Sequence, residues 1–144
     1  MRRFAFWILQ WTWGLPQNLI GLLLLLLLGR QRRERYHGAV ITRFAGHQKL
    51  AQKGCVSLGM FIFMSDQLEP SRAAKIRVHE YGHCIQSLIF GPVFLLAVGL
   101  PSLVWAACYS QVHQDRNIAY TSRYPENNAN KLGHRITGEI PMEW

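Results

Sequence analysis

The sequence predicts an α+β membrane protein of one domain. It is mostly helical, with two apolar membrane segments and a small antiparallel β-hairpin placed before the helix that carries His79 and His83. Three observations lead there. Residues 4–28 and 88–109 contain no charged side chain. Each run is about 20 residues or longer, enough to cover roughly 30 Å of hydrocarbon. Between them, residues 39–44 and 56–64 are rich in β-branched and aromatic side chains. A buried core helix is the ordinary alternative for one apolar run. Two such runs in 144 residues leave too little polar chain to cover both.

The first apolar segment, 4–28, follows Arg2 and Arg3 and has the outline of a signal sequence. It is too long for an h-region, and no small-x-small cleavage site follows Leu28. The run from Gly29 to Arg35, with four arginines, is instead a stop-transfer pattern, so a retained anchor is expected. Gly14-Leu15-Pro16 interrupts the segment, because proline removes a helix hydrogen bond. Trp7, Trp11 and Trp13 suit an interfacial belt, and residues 22–28 are all leucine. The arginine excess after the segment predicts an integral protein of the inner or plasma membrane, with its active site on the cytoplasmic side.

The net charge of +8 invites a nucleic-acid reading. The densest basic cluster, however, abuts an apolar segment, where arginines fix topology and meet anionic headgroups. No nucleic-acid motif accompanies it. A lipid bilayer is the expected partner, and nucleic acid is not. Cys55, Cys84 and Cys108 have no CxxC spacing, which argues against a disulfide framework or a cysteine zinc site and suits a reducing compartment.

Residues 36–70 form the β region. Val56, Leu58, Met60, Ile62 and Met64 fall on one face at period two, which predicts a strand there and an antiparallel pairing with 39–44. A helix over 71–91 then opens at Pro70-Ser71, with Ser71 as N-cap. Ile76, His79, Glu80, His83 and Ser87 share one of its faces. Gly91-Pro92 breaks it, and the second apolar segment, 92–109, is itself divided by Gly99-Leu100-Pro101. Residues 110–144 are polar.

The chemistry lies on the central helix. His79 and His83 stand one turn apart, a separation that suits two adjacent positions of a tetrahedral Zn2+ site. Glu80 can reach a metal-bound water without being a ligand, take its proton and pass it to a leaving amine. His79-Glu80-Tyr81-Gly82-His83 is thus an H-E-x-x-H pattern. A solvated helix face produces the same five residues by chance, but unpaired His and Glu at the start of an apolar helix are costly without a role. A third ligand is required. Pro125 suits the first position of a short helix and Gly133 its C′ position. Glu126 and Asn130 then share a face, Glu126 to complete a His₂Glu set and Asn130 to hydrogen-bond a ligand histidine. The competing reading of Glu126 is a surface capping residue.

Together, His79-Glu80-x-x-His83 and Glu126-x-x-Ala129-Asn130 resemble the gluzincin class of zinc metallopeptidases, whose second helix carries E-x-x-A-D. The apolar insertion between the two motifs looks most like the membrane-bound branch, including the CAAX-type prenyl-protease relatives. The departure is Asn130 where the class has Asp: an amide accepts from an imidazole N–H but lacks the carboxylate's charge. The resemblance implies proteolysis of a peptide or protein substrate associated with the membrane. It implies a substrate-binding strand within 56–63, for which Val56, Leu58, Met60 and Ile62 are candidates. It also implies a residue that steadies the oxyanion, for which Tyr120, Tyr124 and His113 are candidates. The competing function is a catalytically inactive membrane protein or pseudoprotease that binds a partner.

One conflict follows. A single crossing by 88–109 would put Glu126 across the bilayer from the histidines, and a metal cannot be shared over roughly 30 Å. A helical hairpin with its corner at Gly99-Leu100-Pro101 resolves this, since each half is then about 10 residues long.

Overall fold

The computed structural model describes residues 3–44 and 55–142. The first apolar run folds as two short helices, α1 (Arg3–Thr12) and α2 (Leu15–Leu27), parted at Trp13-Gly14. Pro16 lies in the first turn of α2, where no N–H is required of it. At 10 and 13 residues the helices reach about 15 and 20 Å. Their polar residues turn inward: Gln10, Gln17 and Asn18 are fully buried. Gln10 Nε2 donates to Cys84 O (3.0 Å), and Gln17 Nε2 donates to Ser87 Oγ (2.8 Å) and to Gly91 O (3.1 Å). Asn18 Oδ1 accepts from Met60 N (2.8 Å).

These contacts correct the membrane expectation. Among the described residues no helix is long and apolar enough to cross a membrane. The integral-membrane assignment therefore falls, and with it the sidedness argued from the arginines. Hydropathy alone did not register that the first apolar run also carries three amides committed to contacts within the protein.

The arginine cluster is a strand. β1 (Arg32–Tyr36) pairs antiparallel with β2 (Ala39–Phe44) across the His37-Gly38 turn. Arg43 meets Glu34 at 3.0 Å, and Arg35 lies over the Trp7 ring. The stretch 56–64, expected as one strand, contains two. β3 (Val56–Leu58) and β4 (Phe61–Ser65) form a tight antiparallel hairpin turning at Gly59-Met60. The partner of 39–44 is β4, and that pairing is parallel. The sheet is therefore four-stranded and mixed, in the order β1-β2-β4-β3. As a central strand, β4 is buried on both faces, and no polar alternation survives along it.

The long helix α3 (Pro70–Phe90) packs on this sheet. Its N-cap is Glu69, whose carboxylate accepts from Arg72 N at 3.1 Å; the expected cap, Ser71, lies inside the helix and donates to the same carboxylate. Tyr81 anchors its middle, stacked on Phe6 and edge-on to Tyr36. Gly91–Val93 is a 3₁₀ turn and Leu95–Gly99 a π turn that leads straight into α4 (Leu100–Arg116). The predicted corner at Gly99-Leu100-Pro101 is thus a continuous helix. Pro101 is tolerated near the start of α4, and the wider i→i+5 pattern before it carries the backbone hydrogen bonds. The chain reverses instead at Asn117, which is left-handed (φ 48°). The returning strand of chain runs back along α4. Trp105 Nε1 donates to Tyr120 O (2.8 Å), and Tyr124 Oη donates to Ala97 O (2.6 Å). The expected helical hairpin is therefore not formed: α4 runs for 17 residues from Leu100 before the chain reverses, and the return segment is tied to the helix by the two bonds above.

α5 (Glu126–Thr137) follows and lies against α3. The crossing is close because glycine stands at both contact points. A Cβ at Gly82 would collide with the Ala129 carbonyl, and one at Gly133 with the Val78 carbonyl. Gly133 is therefore a packing residue, not the C′ residue; Gly138 (φ 74°) closes α5. The tail is tied back by Glu139, which accepts from Tyr36 Oη (3.0 Å) and from Arg77 Nη2 (2.9 Å).

Candidate metal centre

The central turns of α3 face α5, and the close glycine crossing brings the first residue of α5 against them. His79 Nε2 stands 3.0 Å from Glu126 Oε2, and His83 Nε2 stands 3.2 Å from the same oxygen. The three residues are buried and form a group that can hold a metal ion. They come from two elements 43 residues or more apart in sequence.

The protonation of the histidines follows from their outer neighbours. His83 Nδ1 meets Gln86 Oε1 at 2.6 Å. Gln86 Nε2 donates to Pro125 O (3.0 Å) and to Asn128 Oδ1 (2.9 Å), so its amide nitrogen is committed elsewhere and its oxygen must face the ring. His79 Nδ1 meets Asn130 Oδ1 at 2.8 Å, while Asn130 Nδ2 donates to Met142 O at 2.6 Å. Both imidazoles thus donate from Nδ1, and each neutral ring turns the lone pair of Nε2 toward Glu126 Oε2. Two nitrogen lone pairs and a carboxylate oxygen facing one another repel unless a cation, a proton or a metal, lies among them.

The geometry fits a metal. With bonds of roughly 2.0–2.1 Å, adjacent donors of a tetrahedral zinc site stand about 3.3 Å apart. The observed 3.0 and 3.2 Å are close to that edge. The second oxygen of Glu126, Oε1, is buried without a hydrogen-bond partner, although a buried carboxylate oxygen nearly always has one. Without a metal, protons take its place. Burial pulls the His83 imidazolium down, but the Glu126 carboxylate outweighs it and carries the ring above its ordinary pKa. Burial likewise disfavours the charge on Glu126, yet the hydrogen bonds from His79 and His83 hold it well below the usual carboxylate range.

Glu80 is also buried, beside the ligand group rather than in it. Burial pushes its carboxyl up, opposed by the charges of His79 and His83 and by a hydrogen bond with Ser57 on β3. A buried carboxyl of this kind, beside a group that can hold an ion, has the chemistry to exchange protons.

The three oxyanion candidates separate clearly. Tyr120 lies near the centre: burial raises its phenol, and the Glu126 and Glu80 carboxylates push it up further. Tyr124 is exposed and spends its hydroxyl on Ala97 O. His113 is exposed near the end of α4, bonded to Ile118 O at 3.1 Å. The strand candidates separate as well. Val56 and Leu58 lie on β3, the edge of the sheet among the described residues; Met60 occupies the turn, with its N–H given to Asn18; Ile62 is buried in the doubly paired β4. Gln86 and Ser57 were not singled out from the sequence. Gln86 lies three residues beyond His83 on the same helix face, a spacing that would have found it. Nothing in the sequence pairs Ser57 with Glu80.

Compared with protein-family models, curated proteins and solved structures, the chain matches none.

Proposed function

We propose that the chain is a zinc peptidase of gluzincin-like design, in which His79, His83 and Glu126 hold the ion and Glu80 is the base. The observation that carries this reading is the approach of both imidazole Nε2 atoms to within 3.2 Å of one Glu126 oxygen, with both tautomers set by amides. Two imidazoles and a carboxylate suit zinc and leave a fourth position open. Bound there, zinc supplies Lewis acidity toward a carbonyl and lowers the pKa of water.

The remaining roles belong to the chain. Glu80, its carboxyl raised by burial, accepts the proton of the attacking water and returns it to the leaving amine. Ser57 orients that carboxyl from β3. Tyr120 remains a protonated phenol well above neutral pH, so it offers a neutral donor to a carbonyl oxygen that develops charge. The edge strand β3 presents backbone to an extended peptide. Asn130 supports His79 with an amide where gluzincins have a carboxylate, which leaves more positive charge on the ion and holds it less tightly.

The test is elemental analysis of protein purified without chelators, together with peptide hydrolysis by the parent and by Glu80→Gln. One zinc per chain is expected in both, with hydrolysis falling by about 10²- to 10⁴-fold in the variant. A parent protein that holds no zinc and takes none up on titration ends the peptidase reading. Zinc loss in Glu80→Gln equal to that in His79→Ala would make Glu80 a structural residue.

A further inference from the structure

Two of the three ligands meet, at one remove, on a single side chain. Gln86 is wholly buried on the same face of α3 as His83. Its Oε1 faces His83 Nδ1 at 2.6 Å, and its Nε2 donates at 3.0 Å to the carbonyl of Pro125, the residue immediately before Glu126. A further bond of 2.9 Å to Asn128 Oδ1 fixes the amide plane against the first turn of α5.

We propose that Gln86 is a positioning residue that sets two ligands at once, orienting the His83 lone pair through its oxygen and seating Glu126 through its nitrogen. The inference rests on the metal-centre reading above. The chemistry requires one planar group with an acceptor at one end and a donor at the other, which among side chains means an amide. A carboxylate at position 86 would still accept from His83 but would face two oxygens, Pro125 O and Asn128 Oδ1, with no proton to offer. A methionine of similar length would serve neither end. Asn130 differs in kind: its oxygen holds His79, but its nitrogen holds Met142 O in the tail, away from any ligand. Gln86 therefore couples orientation of the second ligand to arrival of the third.

The experiment uses the full chain and two readouts, zinc affinity by competition with a chromophoric chelator and the imidazole ¹⁵N spectrum at one alkaline pH. Gln86→Met is expected to lose roughly 10- to 100-fold in zinc affinity. His83 should lose its Nδ1–H signature while His79, held by Asn130, keeps it. Gln86→Glu should keep the His83 signature and still release the start of α5, seen as faster amide exchange at Glu126 and Asn127. It serves as the deciding variant if Gln86→Met does not fold. Unchanged zinc affinity with an unchanged His83 spectrum in Gln86→Met overturns the proposal. Equal loss of signature at His79 and His83 also overturns it, because general loosening is then enough to explain the effect. A parent protein that takes no zinc sinks the metal centre alone, and the spectra of the metal-free protein still decide the role of Gln86.

Discussion

Replacing Gly82 with alanine tests whether the close crossing of α3 and α5 is what assembles the centre. Two effects oppose each other. In a helix interior alanine is favoured over glycine by about 1 kcal/mol. Against that, the new methyl would collide with the Ala129 carbonyl, a backbone atom with no rotamer to escape into. Overpacking of this kind costs about 1–3 kcal/mol. The net loss is about 0–2 kcal/mol, which at roughly 2–4 °C per kcal/mol lowers the melting temperature by about 0–8 °C. The site should suffer far more. To relieve the clash α5 must retreat by something on the order of 1 Å, and misplacements of that size cost about 100-fold in activity. Glu126 begins α5, one turn from Ala129, so it retreats with the helix. Gly99→Ala is the matched control, since a Cβ there meets only ordinary contacts at 3.7 and 3.9 Å, and it should gain stability with zinc affinity unchanged. Calorimetry, chelator competition and peptide hydrolysis on both variants decide the matter. A Gly82→Ala protein that is more stable than its parent and binds zinc as tightly would refute the reasoning.

The metal-free protein should lose stability as pH rises. His83 has a raised pKa, so its contribution is fully present below its ordinary value of 6.5 and is lost as pH climbs through the folded value. Glu126 has a lowered pKa, so its contribution is present above 4.5 and is lost as pH falls through its folded value. Zinc reverses the alkaline trend because it competes with protons for the same nitrogens. Melting curves with and without zinc should therefore diverge above pH 6.5 and converge toward pH 5; parallel curves would remove the histidines from the metal. Tyr120→Phe should retain zinc and reduce hydrolysis by about 10²-fold, the usual cost of one oxyanion donor. Tyr124→Phe should leave hydrolysis unchanged. A larger loss at Tyr124 than at Tyr120 would exchange their roles.

The local parts of the fold were legible and the long-range parts were not. Helix α3 and its break at Gly91 follow from periodicity and from proline. The break inside the first apolar run was marked by Gly14 and Pro16, with Pro16 in the first turn of α2, but at Gly99-Leu100-Pro101 the helix continues and Pro101 stands near the start of α4. Apolar composition cannot tell a lipid-facing helix from one that lies on a protein core. The discriminating residues were the amides Gln10, Gln17 and Asn18, whose partners Cys84 O, Ser87, Gly91 O and Met60 N all lie more than 40 residues away. Strand β1 was hidden because its arginines stand exposed on an edge, where charge costs nothing and protects the strand from pairing with other chains. The parallel register of β2 with β4 depends on a connection through β3 that no period-two pattern encodes.

The candidate site divides along the same line. His79, Glu80 and His83 could be read from one helix turn because their relation is local. Glu126 was placed by the pattern it shares with Ala129 and Asn130, and the reason offered for its return, a corner at Gly99, was wrong in position. What returns it is the reversal at Asn117, followed by the passage of Tyr120 and Tyr124 back along α4. The backbone carbonyl of residue 129 lies where Gly82 leaves room, and any larger residue at position 82 would meet it. Gly82 in the first motif and Gly133 after the second are thus the two halves of one contact surface, split across the sequence. Here the small residues at matched places on the two helices fix how α5 lies on α3, and that placement brings Glu126 Oε2 within 3.2 Å of both imidazoles.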